Sequence, residues 1–210
     1  MRPGIIDQQG GDAVSTRRIF VSPRAAERLD TARQWLKALA QGTEAIVAAS
    51  VKEAADDLLR GLAISRGALF AIHRMTFRRL VGLLAAENLA ARGLAPASGL
   101  AAQAVAARCI YRLNDAGALD YFAPVAMRPG FPAALAATLN ELRLNNLDPA
   151  ALRNLGAREN TLATMLEAYD NELSAAGLAD RADIIKSVTK ALESAAISPR
   201  FAGIPLVLLD

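Results

Sequence analysis

Arg18-Ile-Phe-Val-Ser22-Pro-Arg-Ala-Ala-Glu-Arg28-Leu-Asp-Thr-Ala-Arg-Gln-Trp35-Leu36 is the stretch whose reading decides the fold class. Ile19 to Val21 are β-branched or aromatic with no charge among them, which predicts a short strand covered on both faces. Ser22-Pro23 predicts a helix start: a hydroxyl for an orphan N–H, then a ring that presets φ at the first helical position. Leu29, Trp35, Leu36 and Leu39, with Ala25, Ala32 and Ala40, fall along one side of the following helix.

A strand, a turn and a helix at the head of an α/β chain is where a phosphate loop sits. Such a loop needs glycines to bring backbone N–H groups onto the phosphates, a lysine for the outer phosphates and a hydroxyl for magnesium. This turn has no glycine, and Arg28-Leu29-Asp30 stands where Gly-Lys-Thr belongs. The lysine has become apolar, and the hydroxyl has become a carboxylate that repels a nucleotide. No cofactor is expected here.

The pattern repeats downstream. Glu44 to Ser50 reads as a second apolar strand, and Ser50-Val-Lys-Glu53 matches a capping box at the head of a helix carrying Leu58, Leu59 and Leu62. Ala68 to His73, including Phe70, reads as a third strand, followed by an amphipathic helix from Phe77 to Ala91. Strands alternating with helices of this length predict right-handed crossovers and a parallel sheet. From Arg79 to Ala196 only helical patterns occur, with helices expected over 98–114, 132–145, a short one capped by Asp148-Pro149, 160–176 and from Asp180 to about Ala195. Ile204-Pro-Leu-Val-Leu-Leu-Asp210 then closes the chain as another apolar strand.

The expected fold class is therefore α/β: a P-loop-like parallel sheet of about four strands flanked by helices, with a large all-α insertion between the third and last strands. The expected division is a flexible leader over 1–16, an incomplete α/β core over 17–80 with 203–210, and a helical insertion over 81–202. An apolar strand with nothing after it leads to the expectation of a longer polypeptide.

The 210 residues are enough for a full core, and 53% are apolar, much of it alanine. Mean hydropathy is only +0.22, and no run approaches the roughly 18 apolar residues of a spanning helix, so no membrane segment is expected. Residues 1–16 lack the apolar centre of a signal peptide, and the lone Cys109 excludes an internal disulfide; both fit a cytoplasmic protein. Net charge is +3, but Lys37, Lys52, Lys186 and Lys190 are the only lysines among 24 basic residues. Arginine suits bidentate phosphate contacts.

The order of elements from Arg18 to Asp210 resembles the first domain of the superfamily 1 (UvrD/RecB-like) helicases, most of all the B subunits of AddAB helicase–nucleases. Ile19 to Asp30 takes the place of the Walker A strand and loop, in degenerate form. Ala49-Ser-Val-Lys-Glu-Ala-Ala55 resembles the Thr-x-x-x-Lys-Ala-Ala segment of active helicases, with Ala49 for the threonine and Glu53 for the lysine. Met75-Thr-Phe-Arg-Arg-Leu80 is similar to the Thr-Phe-His segment that touches single-stranded DNA, with Arg78 for the histidine. Pro129-Gly-Phe131, Asn140-Glu-Leu142, Tyr169 and Leu178-Ala-Asp180 follow the cadence of the inserted subdomain, and Leu206 to Asp210 takes the Walker B position. The resemblance implies a silent helicase-like module of a DNA-repair helicase–nuclease, with a PD-(D/E)XK nuclease downstream and a partner subunit. It places single-stranded DNA at Ser50, Arg74, Thr76, Phe77, Arg78 and Arg79.

These residues also have plainer readings: Thr76 as a helix cap, Phe77 as core, the arginines as a solvated face. Arg24 and Arg28 at a helix start suit an anion or simple surface charge. Asp30 and Asp210 lack a third metal ligand, and His73 has no Cys or His at ligand spacing, so no metal is expected. Asp180 and Asp183 lie one turn apart, as a helix N-terminus favours. No nucleophile–base pair stands out, and no catalytic residue is expected. A weak NTPase and a module docking a partner protein are the competing functions.

Overall fold

The computed structural model describes residues 4–9, 16–194, 200–201 and 203–209. In chain order the elements are β1 (Gly4–Gln9), β2 (Thr16–Val21), α1 (Ala25–Ala38), β3 (Ala45–Ala49), α2 (Lys52–Arg66), β4 (Ile72–Thr76) and α3 (Phe77–Ala91). There follow β5 (Ala95–Pro96), α4 (Gly99–Asp115), a 3-10 helix (Asp120–Val125), α5 (Phe131–Leu144), α6 (Pro149–Arg153), α7 (Ala157–Ala175), β6 (Leu178–Ala179), α8 (Arg181–Glu193) and β7 (Leu206–Leu209). The chain divides into two compact units, residues 1–80 with 201–210 and residues 81–200, and the division falls inside α3.

The first unit is mixed α/β. Its parallel sheet has the order β4-β3-β7, with Val47 opposite both Arg74 and Val207. Every residue of the central β3 is buried, as an uninterrupted Ala-Ile-Val-Ala-Ala run demands. On one face Leu36 of α1 and Leu58, Leu59 and Leu62 of α2 pack with Val47 and Ala49, joined by half-buried Trp35, Val207 and Leu209.

The parallel sheet has three strands, not four. Ile19 lies in β2, which pairs antiparallel with β1 from Gly4↔Val21 to Gln9↔Thr16. Ile19 and Val21 are 45% and 48% exposed, so this strand is not sandwiched between two layers. Strand backbone must find a ladder partner, and six register pairs with Gly4–Gln9 supply it; that segment is thus a strand rather than a wholly flexible leader. The third strand begins four residues later than its apolar run suggests. Ala71 has φ +59°, which turns the chain out of extended geometry, and Phe70 is left 70% exposed. His73 stays in β4, as expected, and Arg74 joins it; both are exposed, which an edge strand tolerates.

The caps expected at Ser22 and Ser50 are both displaced. Helix α1 starts at Ala25 behind Arg24, and the buried Ser22 Oγ accepts from Arg24 N at 3.1 Å while donating to Glu27 at 2.6 Å. Val51 holds the N-cap of α2 in extended geometry, which puts Ser50 one residue too early to close a capping box with Glu53. Ala25 and Ala40 are exposed rather than part of the apolar face.

The second unit is helical apart from the short parallel pair β5–β6, which the helical periodicity of this region conceals. Ser98 caps α4 through Ala101 N and Asp148 caps α6 through Ala150 N. Leu139, Met165, Leu166 and Tyr169 form its centre with Ala106, Cys109 and Ile110. Val81, Ala85 and Leu89 of α3 pack separately with Ala179 and Val188.

Candidate nucleic-acid interface

Parallel register decides which residues meet. Ala49 is opposite Thr76 in β4 and Leu209 in β7, so the C-terminal ends of the three strands lie at one edge of the sheet. Ser50 is exposed there, and Phe77, Arg78 and Arg79 open α3 at the same edge. In open parallel sheets the ligand crevice lies at this carboxyl edge. Asp210, expected at the acidic Walker B position, lies outside the described residues.

Thr76 is the hinge from strand to helix: its Oγ1 accepts from Arg79 N at 3.2 Å, the capping role that its position suggested. Phe77, read alternatively as core, is 48% exposed, so the ring has a free face. Arg78 and Arg79 are exposed, and their side chains make no hydrogen bond or ion pair among the described residues. The first turn of α3 contains no acid. Its free N–H groups and the helix dipole therefore add to the positive field of the two guanidiniums.

Arg74 differs. Its Nε lies 3.1 Å from Asp56 Oδ1, an ion-pair distance without the alignment of a hydrogen bond. The pair stands at the rim of a groove of about 520 Å3 over Leu59 and Ile72. Its charge is already balanced, which sets it apart from Arg78 and Arg79.

At the degenerate phosphate turn the basic groups are engaged locally. Arg28 donates to the Ser22 carbonyl at 2.5 Å, Arg24 pairs with Glu27, and Asp30 pairs with Arg33 at 2.6 Å. Leu29 packs into the core beside α2. With the arginines satisfied by their own turn and no glycine to expose its N–H groups, the turn offers no cradle for a triphosphate. His73 Nε2 lies 2.7 Å from Glu44 Oε1, and both side chains are half-exposed. No group of three or more His, Cys, Asp or Glu among the described residues is arranged to hold a metal. No described helix is long and apolar enough to cross a membrane.

No family model matches this chain, and no curated protein matches it. The residues alone therefore speak for the site.

Sequence reasoning missed the polar centre of the second unit. Arg143 is buried and meets Asp170, Asp180 and Asp183, while Glu172, also buried, takes both Arg108 and Arg112. Asp180 and Asp183 do form the reciprocal capping box of α8. Their spacing was the visible half of the signal; Arg143 was not, because an arginine among leucines on a helix reads as solvent-facing. Burial pushes the Cys109 thiol up to about 11, with Arg112 and Arg108 opposing it.

Proposed function

We propose that the chain is a catalytically silent, helicase-like module that binds or guides single-stranded DNA within a helicase–nuclease processing double-strand breaks. The observation that carries this reading is the sheet edge: a half-exposed Phe77 beside two exposed arginines without partners among the described residues, at the N-terminus of α3. The ring offers a stacking face to a base, and the two neighbouring guanidiniums are free to take phosphates on either side of it. Such a combination binds strands with little regard to sequence, since every base has a π-face. The engaged, glycine-free turn supports silence toward ATP, which argues for a scaffold rather than a motor.

Fluorescence anisotropy with a labelled oligothymidylate tests it. Stacking is worth about 1–3 kcal/mol per base, so Phe77→Ala should weaken binding by roughly 5- to 150-fold. Arg78→Ala should weaken binding and flatten the dependence of log K on log salt by about 0.7 for the one phosphate lost. Undetectable or salt-insensitive binding by the wild-type chain would remove the reading.

A further inference from the structure

Strand β4 is an outer strand of the parallel sheet: among the described residues it pairs with β3 alone. Ala45 N donates to the Ala71 carbonyl at 3.0 Å, and from that bond the ladder alternates. His73 and Met75 turn their backbone groups to β3, while Ile72 and Arg74 turn theirs to the open edge. Unpaired groups at strand spacing are a template for one more strand. The side chains of Ile72 and Arg74 face α2, and beside them runs the groove of about 520 Å3. Leu59, Leu69 and Ile72 give it an apolar floor, with Asp56 and Arg74 at the rim. Phe70, 70% exposed, stands just before the strand and lines a second hollow together with Leu69 and Ile72. At the rim Arg74 is half-exposed and presents only Nε to Asp56. Its two Nη groups donate no hydrogen bond among the described residues, and the buried Asp56 Oδ1 receives none. The guanidinium thus keeps a pair of parallel donors, the fork that holds a carboxylate at two points.

We propose that the open edge of β4 and the groove beside it take an extended acidic segment of a partner protein as a fourth strand. Backbone bonds to Ile72 and Arg74 supply the affinity, and alternate side chains supply the selectivity. Ile72 and Arg74 stand about 6–7 Å apart on one face of the strand. The incoming segment carries an apolar residue over Ile72, against Leu59 and Leu69, and Asp or Glu at the next position on the same face, against Arg74. His73 and Arg74 keep basic strands off this edge. They also disfavour a second copy, because antiparallel pairing of two β4 strands in full overlap sets Arg74 against Arg74. The DNA reading is carried by Phe77, Arg78 and Arg79, so the two stand or fall separately.

The probe is a fluorescein-labelled peptide, Thr-Val-Thr-Ile-Thr-Asp-Thr-Val-Thr, whose aspartate has an apolar neighbour on the same face to either side and so fits in either strand direction. Fluorescence anisotropy with the full chain should show saturable binding. Exchanging the peptide's aspartate for lysine should weaken it roughly 2- to 30-fold, an exposed attraction replaced by a repulsion of similar size. N-methylation throughout the peptide backbone should abolish binding, since it removes the ladder donors. Arg74→Ala should remove the preference for aspartate over lysine; if that variant does not fold, the three peptides still decide with the wild-type chain. In hydrogen-exchange NMR, saturating peptide should slow the Ile72 and Arg74 amides by at least about tenfold, and more than those of His73 and Met75. No saturable binding at millimolar peptide, or equal binding of all three peptides, would overturn the proposal. So would the same slowing produced by oligothymidylate, which would assign the edge to nucleic acid, or by raised protein concentration alone, which would assign it to a second copy.

Discussion

Ala71 and Gly67 flank the turn that delivers β4 to the sheet, and both have positive φ, +59° and +81°. Only one of them is a glycine. An L-residue in left-handed geometry costs about 1–2 kcal/mol, while glycine loses roughly 0.5–1 kcal/mol more than alanine in chain entropy on folding. Ala71→Gly should therefore stabilise the protein by about 0.5–1 kcal/mol, the difference of those terms. The Ala71 carbonyl accepts from Ala45 N at 3.0 Å, which holds the turn in place while the strain is relieved. Gly67→Ala works in reverse. Nothing lies within 4 Å of the added Cβ, so its cost is conformational alone: about 1–3 kcal/mol for an L-residue at φ +81°, ψ −42°, less roughly 0.5–1 kcal/mol regained in chain entropy. Urea denaturation reads both as shifts in midpoint at constant slope. In a chain of this size, thermal midpoints move by about 2–4 °C per kcal/mol. Loss of stability in Ala71→Gly, or no loss in Gly67→Ala, would mean that the entry to β4 is not built this way.

Three further outcomes are expected. Tyr169→Phe removes a buried hydroxyl that has no partner among the described residues and keeps the ring beside Arg143, so stability should rise by about 1 kcal/mol in urea; a loss above that size would reveal a bond to the hydroxyl. Cys109 is buried, with its thiol at about 11, so alkylation at pH 8 should be at least about a hundredfold slower in the folded chain than in urea; equal rates would contradict its burial. Because both the Cys109 thiol and the Tyr169 phenol, at about 12, are raised above their values of 9.0 and 10.0, their contribution is complete below pH 9 and lost as pH rises through 11 and 12. Thermal scans should show that loss, and Cys109→Ala should flatten its lower part.

Much of the fold was legible because helix punctuation is local. Phe77 to Ala91, the Asp148-Pro149 start and the Asp180 cap follow from side chains that satisfy their own neighbours. The apolar runs at Ala45–Ala49 and Leu206–Leu209 were equally plain as parallel strands. What failed was partner choice and strain. Nothing within Ile19–Val21 reveals that its ladder comes from Gly4–Gln9, and the run Ala68–Phe70 gives no hint that Ala71 turns left-handed after it. The candidate site was visible as residue types, but the exposure of Phe77 and the pairing of Arg74 with Asp56 depend on tertiary neighbours. Arg143 was hidden for the same reason: its partners lie 27 to 40 residues further along the chain.

Photocrosslinking with a 5-iodouracil-substituted single strand, followed by mass spectrometry of the adducts, tests the proposed DNA-binding surface most directly. A stacked base should give an adduct on Phe77, in the peptide that also carries Arg78 and Arg79, and excess unlabelled strand should compete it away. Adducts confined to other surfaces, or none at saturating oligonucleotide, would contradict a DNA site at the carboxyl edge of the sheet.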